Sequence, residues 1–371
     1  MTRYRPPRNV FLIGLTSFFN DMSSEMVLSI FPAFFTSVLK AGAGSLGLVI
    51  IKIYAGKYSD KIKKRKPFMI FGYGLSVATR PMYLLVSSVG GVIGIRVTDR
   101  IGKGLREAPR DAIISLSTPK EEMGRAFGFH RMMDTLGAIL GPLIAYLILR
   151  AYPEGFNIVF VVAFIVGILA VASILFVKDI AGEARKGNLS LDSISVFPSD
   201  FKRYLVALFL LSAGSIPVAV LLLKTQHLGF SLASIPLFYM LYSLSYAGFS
   251  VSAGGMSDRI GARTVMRIGY VVLLAITLAL GFLLLGLFPA LTDGVARALA
   301  AELSPEDHRA GAYGLVNATA GFGLMFAGIA GGYIWEHFGA NYALFAGGVV
   351  VVLGIAVLST IIANGKENLG E

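Results

Sequence analysis

Gly56-Lys-Tyr-Ser-Asp60-Lys-Ile-Lys-Lys-Arg65-Lys66 returns 198 residues later as Gly254-Gly-Met-Ser-Asp258-Arg259-Ile-Gly261-Ala-Arg263. Each copy joins a small-residue helix end to an acid and then to a cluster of bases, and each lies between long apolar stretches. A second echo keeps the order: Ser117-Thr-Pro119-Lys-Glu-Glu-Met-Gly-Arg-Ala126-Phe-Gly128 resembles Leu303-Ser-Pro305-Glu-Asp-His-Arg-Ala-Gly-Ala312-Tyr-Gly314. The chain therefore reads as one unit duplicated.

The composition places that unit in a bilayer. Hydrophobic residues make up 55% of the 371 residues and charged ones 15%, with a mean hydropathy of +0.72, and the apolar residues come in runs of about 20, the length that crosses a membrane. A net charge of +11 can mark a nucleic-acid partner, but here the bases sit at alternate span ends, the pattern of positive charge retained on the cytoplasmic side. No nucleic-acid partner is expected. Without cysteines there are no disulfides, thiol chemistry or cysteine-bound metal. Arg3, Arg5 and Arg8 precede a stretch too long for a signal-peptide core, so the first span is expected to stay in the membrane.

Twelve candidate spans follow, near 10–37, 41–56, 67–88, 90–113, 120–148, 156–177, 203–223, 231–254, 265–283, 284–302, 311–335 and 341–363. Bases crowd one set of ends (Lys57 to Lys66, Lys120, Arg125, Lys178 to Arg203, Arg259 to Arg267, Arg309, Lys366), which predicts cytoplasmic termini and a cytoplasmic central loop. An all-α membrane protein of two pseudo-symmetric six-helix bundles results, residues 1–178 and 201–371, joined by a linker over 179–200. Duplicated membrane units of this kind hold a transport site between the repeats. Two stretches look short. Ala41 to Gly56 contains Lys52, and Arg267 to Leu303 must fit two spans and a turn, so truncated helices or absent residues are expected there, absent residues being the favoured reading.

The repeated Gly-x-x-x-Asp-(Lys/Arg) loop, at Gly56, Asp60 and Arg65 and again at Gly254, Asp258, Arg259 and Arg263, resembles the signature loop of the major facilitator superfamily. The first copy has Lys63 where the second keeps Gly261. Arg100-Ile-Gly-Lys-Gly104-Leu-Arg-Glu-Ala108 resembles the family's span-four pattern. Gly128, Gly137 and Gly141-Pro142 are spaced as in the antiporter motif of drug/proton exchangers, with Ala145-Tyr146 in place of that motif's closing glycines. The resemblance covers essentially the whole chain and implies alternating access, with the loop acid as a gating contact. Physically, such an acid can pair with bases or face a positive helix N-terminus, the glycines let helix backbones approach, and Pro142 favours a kink. Thr118-Pro119-x-Glu121 reads as a capped helix start.

Ionisable groups inside apolar spans are costly and so mark function. In span one, Asn20-Asp21-Met-Ser-Ser24-Glu25 places Asp21 and Glu25 four apart on one helix face. In a low dielectric such a pair can load and release a proton, or it can be neutralised for good by bases on a neighbouring helix. In span four Arg96, Arg100, Lys103 and Glu107 share a face, Asp99 can pair with Lys103, and Arg100 near mid-span is the expected counter-charge of the span-one acids. Arg106, Arg110 and Asp111 read as gate or interface charges. Arg80 in span three is a lone candidate for substrate contact or ion pairing. In span five Asp134 is either a second proton-relay acid or the partner of Arg131. The second half has no span-seven acid. Asp293 and Arg297 echo Glu107 and Asp111, the latter with charge reversed, and Tyr242 and its aromatic neighbours either line a cavity or simply pack.

No nucleophile, metal or nucleotide-binding motif is visible, so no enzyme, cofactor or bound metal is expected and the energy comes from a gradient. The expectation is proton-coupled export of a small organic compound by a monomeric protein of the inner or plasma membrane. Asn20, Ser24, Arg80, Arg96, Lys103, Arg131 and Tyr242 are the cavity candidates. A symporter, a divalent-metal exporter using Asp21, Glu25 and Ser24, and a non-transporting receptor remain the alternatives.

Overall fold

A computed structural model describes residues 4–38, 65–86, 89–152, 155–180, 196–215, 235–279 and 286–361. Within them lie eleven α-helices and no strands: α1 (Arg8–Val38), α2 (Lys66–Met82), α3 (Val89–Leu116), α4 (Met123–Ala151), α5 (Phe156–Leu175), α6 (Ser199–Gly214), α7 (Ile235–Ile260), α8 (Ala262–Ala279), α9 (Leu287–Leu303), α10 (Arg309–Phe338) and α11 (Ala340–Ser359). They fall in order on the predicted spans. The second predicted span, with Gly56 and Asp60, lies outside the described residues.

Helices α1 to α5 pack on one another, α1 against α4 and α5 and α2 against α3 and α5. Helices α6 to α11 form a second group, with α6 against α10 and α11 and α9 against α7 and α8. The groups meet where α4 lies along α7 and α9, and where α3 touches α10. Four stretches are long and apolar enough to cross a membrane by that measure alone: Lys120–Ala151, Phe156–Leu175, Glu306–Ile334 and Asn341–Ser359. Others are short in their described parts or, like α3, carry charge. The stretch expected to be cramped holds two short helices, α8 with 18 residues and α9 with 17, each about 26 Å long at 1.5 Å per residue.

One end of the molecule gathers the bases and the helix connections. Asn9 at the start of α1 donates to Ser117 Oγ and to the Lys178 carbonyl (both 3.0 Å), tying α1, α3 and α5 together. The Asp179 carboxylate accepts from the Arg65 and Lys66 backbone N–H groups (3.2 and 3.4 Å) and so caps the start of α2. Arg65, read in the sequence as a gate base, is a buried clamp on the Ile180 carbonyl (2.9 Å) instead. The second echo is structural as well as textual: Lys120–Glu122 and Glu306–His308 are both 3₁₀ turns leading into helices. Thr118 does not cap α4. Its hydroxyl bonds the Ile114 carbonyl of the preceding helix (2.7 Å).

The apolar core shows where the bundles are joined. A continuous cluster spans both bundles at the basic end, through Tyr73, Ile113, Phe127, Tyr204, Leu299 and Tyr313. Toward the other end a separate cluster, including Met26, Tyr83, Ile95 and Phe160, belongs to the first bundle alone. The described bundles are thus fused at the basic end and part away from it. Large apolar side chains such as Leu143, Tyr146, Ile165, Ile329 and Phe345 stand exposed on the outer faces, as a lipid-facing surface requires.

Candidate functional site

At the basic end the bundles seal through the second signature loop. Asp258 sits at the end of α7, where Gly261 takes φ +89°, a turn that favours glycine. Its carboxylate accepts from the backbone N–H groups of Gly124 (2.5 Å) and Arg125 (3.0 Å), capping α4 of the opposite bundle at the positive end of its dipole. The α4 and α7 backbones come so close that a β-carbon on Gly124 would collide with the Gly254 carbonyl, and one on Gly128 with the Ser250 carbonyl. Gly137 and Gly141 play the same part inside the first bundle, against the carbonyls of Phe18 and Met22 on α1. The glycines spaced like an antiporter motif are therefore the close-approach points of α4 on both its neighbours. Arg259 is exposed at the end of α7, and Arg263 lines an open basic-end pocket of about 890 Å³.

Beside this seam Asp111, fully buried, accepts from Arg110 and from Arg297 of the second bundle, both at 2.9 Å. Lys120 reaches Glu306 at 4.0 Å and Phe127 packs on Tyr313 with ring centroids 5.7 Å apart. The charge reversal noted in the sequence is thus half of a cross-bundle salt bridge.

Deeper in, α1 and α4 bring acids together. Asn20, 2% exposed, donates to Asp21 (2.9 Å), and Asp21 lies against Asp134 of α4, close enough for the two carboxyls to share a proton. Asp134 accepts from Arg131 at 2.9 Å. The expected Asp21–Glu25 pairing is replaced by one between helices, because spacing along α1 cannot report what α4 presents. Arg131, paired with Asp134, also lies in the field of a second-bundle acid, Asp293, which accepts from the Tyr246 hydroxyl (2.6 Å). The sequence reading passed over this contact of Tyr246 with Asp293. Its only signal was the position of Asp293 by the repeat offset. Tyr242 stacks obliquely on Tyr246, 6.2 Å between centroids. His130 bonds Ser17 (2.8 Å).

On α2 and α3 the sequence paired the charges differently from the structure. Arg80 is not alone: 3% exposed, it donates to Ser24 (2.7 Å), Ser23 (3.3 Å) and Asp99 (3.3 Å). Asp99 therefore pairs with Arg80 rather than with Lys103, and Lys103 reaches Glu107 at 3.8 Å. Arg106 covers the Tyr73 ring at 4.4 Å and bonds Ser76, while Arg96 bonds Tyr83. Glu25 lies in the field of Lys103 and Arg100 without a contact among the described residues. With Ser24 holding a guanidinium, it makes a poor partner for a metal. Among the described residues, no three His, Asp or Glu side chains gather to hold one.

Comparison with known proteins agrees with this architecture. Residues 13–286 and 204–368 match the Major Facilitator Superfamily. The chain is 33% identical to an uncharacterized MFS-type transporter of Methanocaldococcus jannaschii, over 95% of this chain and 94% of that protein. It superposes on the human organic anion transporter MFSD10 with a TM-score of 0.75 at 16% identity, covering 95% of this chain and 100% of that one. A bacterial homologue of the iron transporter ferroportin in its outward-facing state gives a TM-score of 0.71 at 15% identity, over 95% and 98%.

Proposed function

This chain belongs to the Major Facilitator Superfamily and is an integral membrane, secondary transporter of two six-helix bundles, and on that premise we propose that it exports a small organic compound in exchange for protons. The observation that carries this is the Asp21–Asp134 contact between α1 and α4. Two carboxyls that share a hydrogen bond hold at least one proton between them, and in a low-dielectric interior a second ionisation is opposed by the first. A further proton neutralises Asp134 and loosens its hold on Arg131, a base that also feels Asp293 of the other bundle. Proton loading thereby changes a contact between the bundles, which is what alternating access needs.

The remaining assignments follow from the same picture. The basic end faces the cytoplasm of a cell or inner membrane, with both termini there, because Lys and Arg gather at that end. Residues 1–178 and 201–371 rock as two bodies about the linker 179–200. One chain supplies both walls of the path, so the working unit is a monomer. Asp258, Asp111 and Arg297 form the cytoplasmic gate, closed in this conformation.

A second reading, uptake with the proton, is favoured by one observation. Glu25 faces Lys103 and Arg100 without touching them, so its protonation would free those bases for a substrate. Proteoliposomes holding a pH dye distinguish the two, challenged with lipophilic amines, carboxylates and phosphate esters. Exchange moves protons against the compound and co-transport moves them with it. Either flux disappears in Asp21→Asn and Asp134→Asn. Flux that survives in both variants overturns the proton site.

A further inference from the structure

We infer that the transported compound carries an anionic group, a carboxylate or a phosphate, and that this group docks on Arg100 and Lys103 of α3. The inference rests on the transport reading but on neither its direction nor its coupling ion.

The first argument is position. Arg96, Arg100, Lys103, Glu107 and Asp111 recur three and four residues apart and form one stripe on α3. Side-chain exposure rises along that stripe away from the gate, from 0% at Asp111 to 10% at Glu107 and 44% at Lys103. The stripe leaves the seal at Lys103, at the level where the shared core of the bundles gives way to that of the first bundle alone.

The second argument is charge. A charged group at membrane depth is normally paired, and the acids inside the spans are nearly all engaged. Asp99 is held by Arg80, Asp111 by Arg110 and Arg297, Asp134 by Arg131, and Asp293 by Tyr246. Asp21 is taken up by Asn20 and Asp134. Glu107 touches Lys103 only at 3.8 Å. Arg100 has no acceptor within contact among the described residues. The candidate span 41–56 holds no Asp or Glu, so it supplies no carboxylate, and it adds a base, Lys52. The remaining acid, Glu25, faces Lys103 and Arg100 from beyond contact distance. Two bases on α3 thus stand opposite one acid on α1 and out of contact with it. A cationic compound would find the Asp21–Asp134 pair already served by Arg131, whereas an anion would find Arg100 without an acceptor in contact among the described residues and Lys103 held only at 3.8 Å by Glu107.

Thermal unfolding of the purified full-length protein in detergent tests this at constant ionic strength. The probes are inorganic phosphate, phenyl phosphate and benzoate, against phenol, benzamide and benzylamine. The anions are expected to raise the melting temperature. Arg100→Gln and Lys103→Gln are expected to weaken them about tenfold or more, the loss of a charge-assisted bond. Arg100→Lys keeps the charge and retains most of the effect, which separates lost binding from misfolding, and Arg203→Gln on the surface leaves it unchanged. Stabilisation by benzylamine above that by benzoate, no stabilisation by any anion, or equal anion binding in both Gln variants overturns the inference. Proton flux and anion binding are read separately on the wild-type protein. Anion binding with no proton flux would therefore sink the coupling and spare this site, and proton flux with no anion binding would do the reverse.

Discussion

Asp111 concentrates the energetics of the proposed gate in one carboxylate. It is fully buried and holds two guanidinium groups, one from each bundle, at 2.9 Å. Asp111→Asn would leave Arg110 and Arg297 buried beside each other, a loss of about 3–5 kcal/mol by analogy with broken buried ion pairs. Arg297→Gln leaves Asp111 its Arg110 partner and should cost clearly less. Melting temperatures of the two variants check this, and equal losses would show that Arg110 does not sustain the acid. At this scale the sequence named many of the right side chains and fewer of their partners. Asp21, Asp134, Arg131 and Arg80 were all visible as costly charges in apolar spans. Helical spacing, however, speaks only of one helix, so it offered Glu25 to Asp21 and Lys103 to Asp99, whereas their charged partners in the fold come from α4 and α2.

Helix α4 is the element on which the two bundles meet. Its glycines are close-approach points, Gly137 and Gly141 toward α1 and Gly124 and Gly128 toward α7, while its start is capped from the opposite bundle by Asp258. The loop acid and the glycines therefore belong to one device, since the cap can form only if the backbones touch. Gly128→Leu is expected to hold α7 away and keep the basic end open, whereas Gly137→Leu disturbs packing within the first bundle. The chain has no cysteine, so Ser115→Cys, buried at the α3–α10 contact, gives a single reporter thiol. Its alkylation should accelerate severalfold with Gly128→Leu and little with Gly137→Leu, and the same rate with both would place the gate elsewhere. The glycine spacing was legible in the sequence. That Thr118 serves α3 rather than α4 was not, because the true cap comes from more than a hundred residues away.

Across the whole molecule the duplication read from the sequence becomes a seam where equivalent positions meet. Asp111 and Arg297 are 186 residues apart, and Lys120 with Glu306 and Phe127 with Tyr313 touch at the same offset. Residues that contact their own repeat partners lie near a pseudo-two-fold axis, so the basic end is where two like bodies close on each other. The sequence displayed the repeat and the reversed charge, but only packing shows that the two meet. The central claim is that protonation of the Asp21–Asp134 pair drives this seam open. Spin labels on Glu121→Cys and Asp307→Cys, on either side of the basic end, would report it by double electron–electron resonance in lipid. In the wild-type background, moving from neutral to mildly acidic pH should shift the distances to longer values, and with Asp21→Asn and Asp134→Asn combined they should not respond. A distance independent of pH in the wild-type background, or the same response in the double variant, would contradict the account.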